Sequence, residues 1–272
     1  MFTALLFLFV LKDCAGVLKG ANRSLNDSTQ SLGIKPISYD YFDWRERGMV
    51  SPVKDQGSCA ACWAFAVVAC IESHLKIYLN SELTLSEQFL IDCDDDQKGC
   101  NAGSLLKAYA TIVSKFGGVL QDRDYYSYAN GKYSCRWQPP NADWAGRWQP
   151  SRAKPVPVIG FTRVKSDEEA MVDAVKNHGP LSVAINSARM GDYMNASYID
   201  EPTDEECDPK RLNHAVLIVG YNTYVSPHGK KTPFWIIKNS WGPDFGDEGY
   251  YYLVRGRNAC GIASDVSYAF VK

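Results

Sequence analysis

The stretch GSCAACWAF, Gly57 to Phe65, sets two thiols three positions apart just ahead of an apolar run. A redox dithiol, half of a zinc site, a structural bridge and a nucleophile all use a thiol in such a setting. The redox reading wants a βαβ pattern around an exposed low-pKa pair, and no such pattern precedes Cys59. Zinc wants a second close pair, and the chain has no other CxxC. A nucleophile fits better. Cys62 opens CWAFAVVACIESHLKIYL, which lacks Gly and Pro and keeps its apolar residues in helical register. A thiol on the first turn of that helix meets the positive end of the dipole and N–H groups that stabilise a thiolate.

A thiolate nucleophile needs an imidazole, and the chain has 4 histidines. His74 lies further down the same helix and cannot fold back on Cys62. His178, in NHGP, stands where a helix ends, and His228, in SPHGKK, stands in a turn. His214 opens the apolar run HAVLIVGY in the other half of the chain, from where it can face Cys62 across a cleft. A polar ring opening a buried strand needs a partner, and Asn239 in IIKNSWG lies on another strand of that half.

The elements that must hold these residues change character along the chain. After the Cys62 helix, Ser86 in TLSEQFLIDC reads as the N-cap of a short helix, and GSLLKAYATIVSKFGG gives a third that ends at Gly117-Gly118. The later runs PLSVAIN, HAVLIVGYN, PFWIIKNSW and GYYYLVRG are short, β-branched and aromatic, the pattern of antiparallel strands. A helical half followed by a strand-rich half predicts an α+β fold with the site in the cleft between them. Between the halves, RWQPPNADWAGRWQP reads as a loop packed by its own rings.

With 272 residues, 46% of them hydrophobic, the chain can fill two packed subdomains. A net charge of -2 gives no footprint for nucleic acid or an anionic membrane. Asp94-Asp95-Asp96 reads as a solvated loop, since it lacks the Gly and distal Glu of a calcium loop. Phe2 to Leu11 is apolar, too short to span a bilayer, and runs into Cys14-Ala15-Gly16, so residues 1–16 read as a secretory signal. No later segment is expected to cross a membrane. Residues 17–37 are polar and read as linker or propeptide. The acceptor sequons at Asn22, Asn26 and Asn195 agree with export, as do 9 cysteines, 8 of them beyond the signal.

The ordered motifs QGSCAACWAF, LSEQFLIDC, GCNAGS, NHAVLIVGY and KNSWGPDFGDEGYYYLVRGRNACGIAS resemble those of papain-like cysteine proteases, most of all the cathepsin L type. The resemblance implies a papain-like peptidase domain over 38–272, with a mainly helical half over about 47–155 and a strand half over about 156–272. It implies Cys62 as nucleophile, His214 as general base and then acid, Asn239 as orienter shielded by Trp241, and Gln56 with the Cys62 N–H as oxyanion hole. It implies bridges Cys59 to Cys100, Cys93 to Cys135 and Cys207 to Cys260, and leaves Cys70 a buried free thiol.

The substrate groove implied by the resemblance has Gly103 offering backbone hydrogen bonds. Leu105, Ala184, Leu212 and Ala215 line the pocket for the residue two before the scissile bond, with Ser104 at its rim, Asp265 at its end and Trp241 alongside. Asp265 predicts acceptance of Arg as well as Phe or Leu. Relatives usually have Gly at the positions of Ala60 and Ala102, and often an acid at Asn213. No paired-His insertion lies between Gly103 and Cys135, which favours endopeptidase action. The implied protein is secreted or lysosomal, needs no cofactor or metal, acts as a monomer on polypeptides, and meets cystatin-type inhibitors. The competing expectation is a catalytically silent secreted glycoprotein that keeps the fold as a binding surface.

Overall fold

The apolar run that begins at Cys62 forms one helix, α1 (Cys62–Leu79), and the rest of the molecule is arranged around it. Its residues from Cys62 to Val68 are buried on every face, which a core helix requires and an amphipathic surface helix does not. It stops at Asn80, whose left-handed backbone, which Asn tolerates, lets its N–H reach Leu75 O. The computed structural model describes residues 40–140, 142–143, 150–193 and 197–272. The signal-like stretch 1–16, all of 17–37 with Asn22 and Asn26, Asn195, and most of the second Arg-Trp-Gln-Pro lie outside the described residues.

Three further helices follow capping chemistry. In α2 (Glu87–Cys93) the Ser86 hydroxyl accepts from Phe89 N at 3.1 Å. In α3 (Leu105–Thr111) Ser104 accepts from Lys107 N, and the helix widens into a π turn over Ile112–Phe116 before stopping at the left-handed Gly117. In α4 (Glu168–Asn177) Asp167 accepts from Glu169 N.

The strands are β1 (Phe42–Asp43), β2 (Gly118–Val119), β3 (Val156–Arg163), β4 (Leu181–Ile185), β5 (His214–Val225), β6 (Lys231–Lys238), β7 (Tyr250–Val254) and β8 (Val266–Val271). They pair antiparallel in the order β2-β3-β8-β4-β5-β6-β7, with β1 added on β5. Strand β5 is buried from His214 through Thr223, because β4 and β6 flank it and α1 packs on it. The helix-to-β5 contact is the seam at which the two halves of the chain meet. Each large apolar side chain buried there contributes about 1.5–3 kcal/mol.

Three disulfides with both ends among the described residues fasten the loops: Cys59–Cys100, Cys93–Cys135 and Cys207–Cys260, the pairs the resemblance implies. Their sequence separations of 41, 42 and 53 close long loops. In the chain-entropy account such closure stabilises by on the order of 4 kcal/mol each.

Several expectations need correction. The acidic run is not uniformly solvated: Asp94 is buried and accepts from Asp96 N and Thr111 Oγ1, because its carboxylate tucks under α3, while Asp95 and Asp96 are exposed. The Trp/Pro loop is not packed by its own rings alone, since Trp137 inserts edge-on against Phe89 and Phe116 of the helical half. By length and composition alone α1 is apolar enough to cross a membrane, against the expectation that no segment after the signal is. It is instead the core helix, apolar because it is buried against β5 and β8.

Candidate active site

Cys62 is the first residue of α1 and is almost wholly buried at the seam. Ala61 offers no side-chain cap and the first turn carries no acid, so no side chain opposes the positive end of the dipole. The loop that delivers Cys62 is pinned beside it by the Cys59–Cys100 bridge and by Ala60 N donating to Cys100 O at 3.1 Å.

His214 starts β5 from the opposite half. Phe65 and Ala66, one turn into α1, and Ala215 and Val216, next along β5, border one small cavity, so the two elements start from the same seam. The His214 Nε2 lies 2.8 Å from Asn239 Oδ1. An amide oxygen can only accept, so Nε2 carries the proton and Nδ1 is the basic atom of the ring. Trp241 covers the ring with centroids 4.9 Å apart, and Phe245 packs edge-on against Trp241 at 5.1 Å. Burial pushes the imidazole down to about 4, the Asn239 bond acting the other way. A ring so enclosed is held neutral unless an anion stands beside it.

Gln56 is fully buried between the halves. Its Nε2 donates to Cys59 O at 2.9 Å, its Oε1 accepts from Ser240 Oγ at 2.7 Å, and its backbone N–H reaches Ser240 O at 2.8 Å. The amide thus ties the Cys59–Cys62 loop to the strand end that carries Asn239. Ser240, which orients that amide, was not anticipated from sequence; its only signal was its place after Asn239.

Gly103 rests on the Trp63 ring, where a Cβ would come within 2.3 Å of Trp63 Cγ. Gln97 exchanges two hydrogen bonds with Ser104, from Nε2 to Ser104 O at 2.9 Å and from Ser104 N to Oε1 at 3.0 Å. Ser104 spends its hydroxyl on capping α3, and Leu105 is buried. Ala184 and Ala215 are cross-strand partners, and Ala184 N donates to Asp265 O at 2.9 Å, which gathers the three. Leu212 packs at Gly261. The Asp265 carboxyl is raised by burial, with Arg163 opposing, and its Oδ1 is buried without a hydrogen-bond partner among the described residues.

The two alanines that depart from the resemblance differ. Ala102 has φ 146, a backbone region that glycine normally fills, whereas Ala60 is not among the positive-φ residues. Asn213, beside His214, accepts at Oδ1 from Ser187 N at 2.8 Å and from Ser187 Oγ at 3.1 Å. Among the described residues no group of three His, Cys, Asp or Glu could hold a metal ion.

Residues 39–270 match the family model described as "Papain family cysteine protease". The chain is 39% identical to "Cysteine proteinase 15A" of Pisum sativum, over 83% of this chain and 60% of that protein. It is 36% identical to "Procathepsin L" of Rattus norvegicus, over 84% of this chain and 64% of that one. Its fold resembles a digestive procathepsin L2 proteinase of Tenebrio molitor larval midgut, with TM-score 0.72 and 32% identity, covering 87% of this chain and 70% of that one. It also resembles the bromelain protease of Ananas comosus, solved with the E64 inhibitor, with TM-score 0.71 and 31% identity, covering 86% of this chain and 100% of that one. The chain spans 60% and 64% of the length of those two curated relatives.

Proposed function

This chain belongs to the papain family of cysteine proteases, and we propose that it hydrolyses peptide bonds within polypeptides through a thiolate at Cys62. The observation that carries the reading is the bond from His214 Nε2 to Asn239 Oδ1 at 2.8 Å, made under Trp241 at the seam where Cys62 starts its helix. The bond fixes the tautomer whose Nδ1 exchanges a proton with a thiol, and burial makes the charged imidazole dependent on an adjacent anion. The Cys62 thiolate is that anion, so thiolate and imidazolium stabilise one another.

The steps follow. The Cys62 sulfur attacks the scissile carbonyl carbon, and the carbonyl oxygen takes the electron pair. The Cys62 backbone N–H and Gln56 Nε2 stabilise that oxyanion; losing one such donor costs about 3–4 kcal/mol. His214 gives its Nδ1 proton to the departing amine, leaving a thioester. With His214 as base, water attacks the thioester and releases the acid and the thiol.

Extended substrate pairs with the Gly103 backbone, and its second residue enters between Ala184, Ala215, Leu212 and Leu105, past Ser104. The unpartnered Asp265 oxygen at the end of that pocket favours Arg there while the apolar walls take Phe or Leu. An Asp265→Ala variant should lower the Arg-to-Leu rate ratio by about tenfold; an unchanged ratio removes Asp265 from specificity. The apolar Phe2–Leu11 stretch and three disulfides support an exported or lysosomal protein, a monomer open to cystatin-type inhibitors.

The test is an epoxysuccinyl or vinyl-sulfone probe with peptide mapping, run beside turnover of a peptide library. Labelling at Cys62 with loss of internal cleavage is the expected result. Purified protein that neither labels nor cleaves would instead be a silent binding protein on the same fold.

A further inference from the structure

The turn at Asn130-Gly131 is tied to the loop that leads into α1, and these two residues form the only Asn-Gly pair in the chain. Asn130 reaches back 71 positions to accept at Oδ1 from Cys59 N at 2.9 Å, and its Nδ2 donates to Ser58 Oγ at 3.0 Å. Its carboxamide rests on Gly57, where a Cβ would come within 2.9 Å of Asn130 Oδ1. Tyr128 adds a further tie, its hydroxyl donating to Gln56 O at 2.5 Å. From the other side the buried Gln88 of α2 holds the turn, accepting from Ala129 N at 2.8 Å and donating to Gly131 O at 2.8 Å. One group of the turn is left over. Gly131 N has no hydrogen-bond partner among the described residues, and Asn130 before it is exposed, with a left-handed backbone at φ 51.

We propose that Asn130-Gly131 is a self-modifying site, at which the Asn130 amide is lost through a cyclic imide and the clamp on the Gln56–Cys59 loop opens as a result. The Gly131 nitrogen bonds to Asn130 Cγ, the Cγ–Nδ2 bond breaks, and the proton from Gly131 N leaves on the departing ammonia. Solvent water then adds to one of the two imide carbonyls. Addition at Cγ restores the ordinary chain with aspartate at 130, whereas addition at the main-chain carbonyl leaves the chain running through Cγ as isoaspartate. Nothing is oxidised or reduced, and no group of the cysteine site takes part. The pair suits the step because Gly131, lacking a Cβ, lets its nitrogen approach closely and lets the turn rotate onto Cγ.

The bonds that tie the turn also set the pace of the reaction. With Oδ1 held by Cys59 N and Nδ2 by Ser58 Oγ, the carboxamide must let go of the loop before Cγ can turn onto Gly131 N, so conversion runs through a local opening. The two products then differ in what they can hold. Aspartate keeps the clamp, because Cys59 N still donates to it and Ser58 Oγ can turn its own hydrogen to the carboxylate. Isoaspartate does not. Its carboxylate stands directly on Cα, one carbon short of Cys59 N, and its main chain is one carbon longer between the two bonds that Gln88 makes to Ala129 and Gly131. The loop so released carries Gln56 and Cys59 and runs into α1 at Cys62.

The experiment incubates the purified full chain at neutral pH in heavy-oxygen water, maps its peptides by mass spectrometry, and reads isoaspartate by enzymatic methyl transfer. Heavy oxygen and isoaspartate at residue 130 are the expected result. Conversion in the folded protein should trail that in the urea-unfolded chain by about thirtyfold, the weight of two ordinary hydrogen bonds, and Ser58→Ala should recover about fivefold of it, the weight of one. Gly131→Ala should suppress conversion; Gly131 is not at positive φ, and the added Cβ comes nearest to the exposed Tyr133 ring, at 3.1 Å. Hydrogen exchange at Cys59 N should quicken by about fivefold or more in the isoaspartate form and stay within about twofold of the wild type in Asn130→Asp. An Asn130 amide still whole at roughly ten times the expected half-time overturns the proposal. Conversion as fast in the folded protein as in the unfolded chain overturns the clamp as its gate, and isoaspartate that leaves Cys59 N exchange unchanged overturns the release of the loop.

Discussion

Helix α1 carries two thiol and imidazole neighbourhoods eight residues apart, on the order of 12 Å along its axis. At the first, Cys62 starts the helix at the seam, and its imidazole arrives from β5, held by Asn239 and roofed by Trp241. At the second, Cys70 is fully buried and His74 follows it four positions on. Both second-site groups address one acceptor: Cys70 Sγ donates to Pro180 O at 3.4 Å, and His74 Nε2 lies 3.1 Å from it. Burial raises the Cys70 thiol, yet the neighbouring His74 brings it down to about 7. A thiol that ionises near neutrality is therefore not enough to make a nucleophile. Cys70 is wholly buried, with no surface for a substrate to reach, whereas Gln56 places an amide donor on the loop that delivers Cys62.

The widest separation between the two thiols should appear on their removal. Cys62→Ala should abolish turnover, by about 10⁴-fold or more, since the residues of such a constellation act as a unit. Cys70→Ala should leave kcat/KM within about twofold and cost about 1 kcal/mol of stability, measured by urea unfolding, because it deletes one small buried group. Equal losses of activity in both variants would break the comparison.

Much of this contrast was legible in the sequence, and the limits have physical causes. A helix starting at Cys62 could be read because the run lacks breakers and apolar residues recur around it. The antiparallel runs later in the chain could be read because alternation and turn residues bound them. Strand β3 and strand β8 were not marked out: only Val158 of β3 is buried, and β8 is defined by its partners β3 and β4, which no local window contains. The ion pair of Glu72 left one local trace, the lone acid of α1, but its partner Lys54 sits 18 positions away, ahead of the helix. The π turn in the third helix and the Trp137 anchor arise from packing against the sheet edge and α2. Composition carries no record of either.

A second test removes the donor rather than the thiol. Gln56→Ala should lower kcat by about 10²–10³-fold with a smaller change in KM, as expected for an interaction that strengthens only in the transition state. Steady-state kinetics on one peptide decide it. A pure KM effect would assign Gln56 to ground-state binding and remove the donor difference between the two thiols.

The next difference concerns protons. In Cys62→Ala the His214 ring loses its anionic neighbour, and burial then holds its folded pKa at about 4, below the unfolded value of about 6.5. The neutral form is the one favoured by folding, so the contribution is whole above about pH 6.5 and is lost as pH falls towards 4. The total is on the order of 3 kcal/mol, read as a falling urea midpoint. His74 should give no such acid loss, because Cys70 raises it although burial opposes. Adding His214→Gln to Cys62→Ala should flatten the acid dependence, and an unchanged slope would place its origin elsewhere.

The smallest effect lies in the backbone beside each thiol. Near Cys70 the chain turns at Gly179, φ 135, where a Cβ would meet His74 Nε2 at 2.8 Å. Glycine adopts that conformation without steric cost, and Gly179→Ala should destabilise by about 2 kcal/mol through strain and contact together. Near Cys62 the corresponding turn carries Ala102 at φ 146, next to Gly103 on the Trp63 ring. That alanine stays in place because its neighbours over-determine it. Lys98 N donates to Ala102 O at 3.2 Å, Gln97 clamps Ser104, the Trp63 indole N–H holds Gly99 O at 3.0 Å, and the Cys59–Cys100 bridge closes the loop. Ala102→Gly should therefore stabilise the protein by about 1 kcal/mol, visible as a higher urea midpoint. A glycine there also gains freedom in the unfolded chain, which offsets part of the relief and keeps the effect small. A loss of stability would mean that the alanine methyl packs well enough to outweigh its backbone, and that the strain lies at neither end of the helix.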